Sequence, residues 1–248
     1  MRMKLKNLLQ ALTIDRVLLL IGTFFLFLYL SSEMTLLFLP TRRVAPIVHA
    51  LILLLTCTIL YCGACLHLLR TRSTLVLRGA FYVFLVLSLY LVLYVTLLDY
   101  SLGRSGDFLF NEFGEILFSE QRGLYVEWFV NLIPLQSIYT VYIKGLIDGN
   151  ITLFYGLLNL FGNLCLFMPT SLLLSILFRC QRKWYIFLPT VALCSATIEA
   201  LQFTFMVGSC DIDDVILNTL GALLLFLLLK IPFFKRICRA LLPDSLPK

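Results

Sequence analysis

Six long apolar runs divide the chain: Val17–Leu39, Ala45–Leu69, Gly79–Leu98, Ile151–Leu177, Trp184–Val207 and Val215–Ile231. All reach the length of about 17–25 residues that a helix needs to cross a bilayer. None alternates apolar and polar residues as a lipid-exposed barrel strand does. The pattern predicts an all-α, polytopic transmembrane helix bundle of about six spans. Glu33 interrupts the first run, so that helix is expected to end near Leu30, with Val17–Leu39 not spanning in full. Arg2, Lys4, Lys6 and Arg16 precede it, as in a signal peptide. Tyr29–Leu30–Ser31–Ser32–Glu33 is nevertheless a poor cleavage site, and an uncleaved first helix is expected.

Composition narrows the class. The 248 residues are 60% hydrophobic and 14% charged, with a mean hydropathy of +0.96. Soluble domains are about half apolar and a quarter charged. An ordinary soluble globule, a disordered chain and a fibrous repeat are all excluded. The net charge of +6 does not point to nucleic acid here, because in a membrane protein the placement of charge matters more than its sum.

Sorting Lys and Arg by loop gives an orientation. One side receives Arg2, Lys4, Lys6, Arg16, Arg70, Arg72, Arg78, Arg179, Arg182, Lys183, Lys230, Lys235, Arg236, Arg239 and Lys248. The other receives only Arg42, Arg43, Arg104, Arg122 and Lys144. The positive-inside rule then places both termini of a multi-pass membrane protein in the cytoplasm. Acidic residues segregate oppositely, and give the outer face a negative field that attracts cationic ligands.

Three parts follow: two helices over 1–78, a membrane core over 79–231 and a basic tail over 232–248. Within the core, the outer segment at about 99–150 is too apolar for a flexible linker. Phe108, Phe110, Phe113, Ile116, Leu117 and Phe118 alternate with Asp107, Glu112 and Glu115, as in an amphipathic helix lying on the outer leaflet. Pro134 breaks the apolar stretch that follows, so an interfacial or re-entrant segment is expected there rather than a seventh span.

The eight cysteines fall mostly in or beside spans, where Cys behaves as a small apolar residue. Cys62–Gly63–Ala64–Cys65–Leu66–His67 has the look of a metal motif but lacks a second Cys pair, and core packing is expected.

Polar residues inside three spans are costly and call for explanation. Asn159 and Asn163 lie four apart. Ser195, Glu199 and Gln202 follow at four and three. Asp211, Asp214, Asn218 and Gly221 follow at three, four and three, with Asp213 beside Asp214. Such intervals put each set on one helix face. Antiparallel neighbours joined by short loops bring the three faces together at similar depth. The expected result is an outward acidic, polar site. The plain alternatives are interhelical glue for the amides, close packing for Gly162 and Gly221, and helix capping for the aspartates.

In this order, the stripes carry a resemblance. Tyr94-x-Thr96, Asn131–Leu132–Ile133–Pro134, Asn159-x-x-Gly162–Asn163 with Phe167-x-Pro169, Ser195-x-x-x-Glu199-x-x-Gln202 and Asp211–Ile212–Asp213–Asp214 through Asn218–Thr219–Leu220–Gly221 resemble the VanZ-like family of bacterial membrane proteins. The resemblance covers about residues 85–230. It implies a role in the cell envelope and, for the family's namesake, lowered susceptibility to teicoplanin-type lipoglycopeptides. It supplies no reaction. Thr170 and Ser171 stand where many members have Gly, and Val207–Gly208–Ser209–Cys210 where many have Arg. The basic residue that often precedes Asn131 is also missing, and the nearest Arg is Arg122.

Three function classes fit. The first is an envelope factor whose outward acidic site binds a cationic or lipid-linked envelope molecule, or a glycopeptide, and alters antibiotic access. The second is an intramembrane enzyme on a lipid-linked substrate. There Glu199 is the catalytic acid or base, Asp211, Asp213 and Asp214 hold a divalent cation such as Mg²⁺, and Asn131, Asn159, Asn163, Ser195, Gln202 and Asn218 complete the polar site. The third is a small proton-coupled transporter with Glu199 titrating. The oxygen-rich set lacks the His and Cys of a zinc centre, and no Gly-rich phosphate loop is present.

Overall fold

The computed structural model describes residues 13–38, 46–98, 121–149 and 152–232. The protein is an all-α polytopic bundle. Its helices are α1 (Ile14–Phe38), α2 (Pro46–Thr71), α3 (Leu75–Leu93), α4 (Gln121–Phe129), α5 (Leu153–Leu166), α6 (Met168–Leu177), α7 (Trp184–Phe205) and α8 (Ile212–Leu228). Two-residue strands β1 (Val130–Asn131) and β2 (Cys210–Asp211) pair in parallel. The expected amphipathic helix around Phe108–Phe118 lies outside the described residues.

Among the described residues, five helices are long and apolar enough to cross a membrane, with α5 and α6 counted as one stretch, Asn159–Leu177. The sixth expected span is α8. Its 17 residues stand at the short end of the spanning range. Glu33 does not end α1, which continues to Phe38. Glu is a good helix former, so a single carboxylate near an interface leaves the backbone pattern intact. The fourth run breaks at Phe167, because Pro169 has no N–H and suits only the opening turn of α6.

The chain forms two compact units, Met1–Leu87 and Ser88–Lys248, dividing within α3. In the first, α1 and α2 pack closely. A Cβ at Gly22 would stand 2.7 Å from the Leu60 side chain, and one at Gly63 would stand 3.0 Å from the Leu19 backbone. Lipid supplies no hydrophobic drive between helices, so such close approach supplies the adhesion. Buried Asp15 accepts from His67 Nδ1 at 2.9 Å and from Arg70 at 3.3 Å. His67 of the Cys62–His67 segment thus bonds across to α1, while Cys62 is exposed and Cys65 half-buried.

In the second unit, α7 and α8 pack together, and α8 also packs against α5 and α6. A Cβ at Gly221 would fall on the Leu164 carbonyl, whereas Gly162 meets nothing within 4 Å. Close packing, the plain alternative for both glycines, holds at Gly221 and not at Gly162. The core is a cluster of Val92, Phe167, Phe187, Val191, Ile198, Ala222 and Phe226. Within it Phe187 stacks on Phe226 at 4.7 Å.

Candidate functional site

The polar residues gather where α8 begins. Asp211 is the N-cap of α8, and its side chain accepts the Asp213 N–H at 2.8 Å. This is the usual capping geometry for an Asp at a helix start. The β1–β2 pairing sets Asn131 beside Asp211. Asn131 Nδ2 donates to Asp211 Oδ1 at 3.0 Å and to Ser137 at 2.8 Å, while its own Oδ1 accepts from Ile133 N–H at 3.0 Å.

Asp213 is the pin of the loop. Its two carboxylate oxygens accept the backbone N–H groups of Leu135 and, at 3.0 Å, Ile138. Leu135 sits at φ +66°, a left-handed conformation that a branched side chain adopts only when its surroundings hold it there. Around this pin Trp128, Leu132 and Ile133 point outward, with Trp128 74% exposed. Pro134 stands in the turn and no helix crosses it, as expected.

Glu199 lies on the buried face of α7, 7% exposed. Its Oε2 accepts the Asp211 N–H at 2.9 Å, which ties α7 to the acidic turn. One turn away Ser195, fully buried, accepts from Asn218 Nδ2 at 2.9 Å. Gln202 Nε2 donates to the Thr96 carbonyl at 3.1 Å. That carbonyl lies in a π-type turn, Tyr94–Leu98, and such turns recur at functional positions. Asn163 donates to Asp214. The structure thus joins Asn131, Asn163, Ser195, Glu199, Gln202, Asp211, Asp213, Asp214 and Asn218 through paired contacts. Asn159 makes no such link among the described residues.

Of the aspartates expected to hold a cation, Asp211 accepts from Asn131 and from the Asp213 N–H, Asp213 accepts two backbone N–H groups, and Asp214 accepts from Asn163. Among the described residues no three His, Cys, Asp or Glu side chains stand where they could hold a metal ion.

Three residues of the centre carry no periodic signal in the sequence. Tyr125 is buried, and its hydroxyl donates to the Gln202 carbonyl at 3.3 Å. Burial pushes its phenol up to about 12, and the nearby Cys210 and Glu199 act in the same direction, opposed by Arg122. Cys210 is raised by burial first and then by Glu199 and Asp211. Arg122 donates to the Thr204 carbonyl at 3.0 Å and lies 5.0 Å over the Phe203 ring. It thereby places a cation at the negative end of α7.

Below the Ser195–Asn218 pair the polar stripe stops. Val191, four residues before Ser195, and Ala222, four after Asn218, belong to the apolar cluster. The centre is polar at one end of the unit and closed by packed aromatic rings beneath.

Fold and site together define a polytopic helical membrane protein with a carboxylate-bearing polar centre at one end of its bundle. Comparison with known proteins gives the group. Residues 81–235 match the VanZ/LLP1 family model, more than half of the chain. Protein VanZ of Enterococcus faecium is 36% identical over 123 residues, covering 45% of this chain and 72% of that protein. The chain belongs to the VanZ/LLP1 family. No solved structure matches it.

Proposed function

We propose that the chain is a VanZ-like protein of the bacterial cytoplasmic membrane that lowers susceptibility to teicoplanin-type lipoglycopeptides. It acts through the polar centre around Glu199, facing outward with both termini in the cytoplasm and six spans. The observation that carries the reading is Glu199 itself, a buried carboxylate on a membrane-length helix, bonded to the acidic turn at Asp211. An Asp-like charge in a span costs about 2.5–3.5 kcal/mol on an insertion scale, and structural adhesion is available more cheaply from Gly221-type packing. The family and the similarity to Protein VanZ support the envelope role. The apolar cluster beneath the centre counts against a carrier, which needs a polar route past the midplane.

The test is expression in a teicoplanin-susceptible Gram-positive host. Wild type should raise the minimum inhibitory concentration, and Glu199→Gln and Asp214→Asn should each abolish the rise at equal membrane abundance. No effect from wild type, or full effect from both variants, ends this reading.

A further inference from the structure

Hydrogen bonding in the centre is lopsided. The amide nitrogens of Asn131, Asn163, Gln202 and Asn218 all have acceptors. Two amide oxygens, Gln202 Oε1 and Asn218 Oδ1, are buried with no donor among the described residues. Their residues are 2% and 3% exposed. The Gln202 orientation is fixed, because a backbone carbonyl can only accept and so must face Nε2, whereas the Asn218 amide faces a hydroxyl that takes either role, and Gln202 Oε1 is the acceptor that carries the argument. Along α7 the anchor points of the two oxygens flank Glu199: Gln202 is three residues after it on the same buried face, and Asn218 is held by Ser195, four residues before it. Native proteins leave few buried acceptors without a donor, and each calls for an explanation.

We infer that this stripe is the contact surface for a cationic amine. An ammonium carries three N–H donors, no acceptor, and a positive charge that suits Glu199 and Asp214. A phosphate or carboxylate brings acceptors to acceptors and negative charge to an acidic centre, and is rejected. The inference rests on the proposed function in taking this centre as the working site, and it names the ligand class. The opposite chemistry, an anion on the unpartnered Nε of Arg122, is the alternative to separate.

The full chain in phosphatidylcholine nanodiscs is titrated with ethylammonium chloride, N-ethylacetamide or sodium ethyl phosphate at equal ionic strength, and the melting temperature is read. Ethylammonium should raise it saturably and the other two should not. Gln202→Met keeps the side chain's length and removes the free acceptor, so the ethylammonium midpoint should weaken about tenfold. Should that variant fold poorly, Asn218→Asp replaces the Nδ2 donor by an oxygen that accepts from the Ser195 hydroxyl turned round, adds a negative charge and should tighten the midpoint. Equal shifts with the acetamide would mean that any polar solute or water fills the stripe. A rise with ethyl phosphate would mark an Arg122 anion site. Either result overturns the inference, as does no shift with the amine. No antibiotic enters the assay. Amine binding without a change in teicoplanin susceptibility therefore sinks the proposed function alone, and the converse sinks this inference alone.

Discussion

Gly221→Ala should separate α5 from α8 and disable the centre with it. An added Cβ would stand 2.6 Å from the Leu164 carbonyl carbon and 3.1 Å from its Cα, with the carbonyl oxygen nearer still. Carbon atoms rest about 3.5–4.0 Å apart, so the seam must open by about 1 Å, which forfeits about a quarter to a half of each dispersion contact across it. The Asn163–Asp214 bond lies beside Leu164 and stretches too. Overpacking costs about 1–3 kcal/mol. A lost hydrogen bond to a charged group adds about 1.5–3 kcal/mol, so a total of about 3 kcal/mol or more is expected. For a chain of this size that is a fall of about 6–12 °C in melting temperature. The assay is thermal unfolding in detergent, with Gly162→Ala as the matched control. Nothing lies within 4 Å of a Cβ at Gly162, and Ala favours the helix by about 0.8–1.0 kcal/mol. A Gly221→Ala melt within about 2 °C of wild type, or an equal fall in the control, would refute the packing argument.

Asp213→Asn should release the loop, since an amide N–H₂ would face a backbone N–H where a carboxylate oxygen accepted it. The loss is about 1.5–3 kcal/mol, and new protease cleavage should appear between Asn131 and Ser137 in accessible vesicles; an unchanged digest would count against the pin. Tyr125 supplies a pH dependence. Its phenol is raised from 10.0 to about 12, so the unfolded chain loses this proton first as pH rises. The contribution is full below pH 10 and lost as pH climbs through about 12, and Cys210 adds in the same sense. Melting temperature should therefore fall over this range, and Tyr125→Phe should flatten the slope; an identical slope in the variant would remove Tyr125 as its source.

The spans and stripes were legible because helix periodicity is local. Asn163, Glu199 and Asn218 announce a face from their spacing, and short connections bring such faces together. What each carboxylate does was not legible. Asp213 reads as a metal ligand by residue type, but its partners are the N–H groups of Leu135 and Ile138, about eighty positions upstream. Backbone groups have no signature in a sequence. The same holds for the Thr96 carbonyl that Gln202 finds, and for the Leu164 carbonyl that only a glycine at 221 can meet. Gly162 and Gly221 look alike in sequence, and only the neighbour decides which is indispensable. Asn159 shares the interval of Asn163 and misses the network, because equal spacing fixes a face and not a partner.

The aromatic cluster of Phe167, Phe187 and Phe226 has an electrical consequence. A packed apolar layer of low polarisability takes up most of the voltage across a membrane. In the proposed outward orientation Glu199 and Asp214 lie on its outer side, and would sit close to the potential of the outer solution. Moving one charge through the full field is worth about 2.3 kcal/mol per 100 mV. A charged ligand reaching these residues crosses little of that drop. The centre should therefore respond alike in energised and de-energised cells.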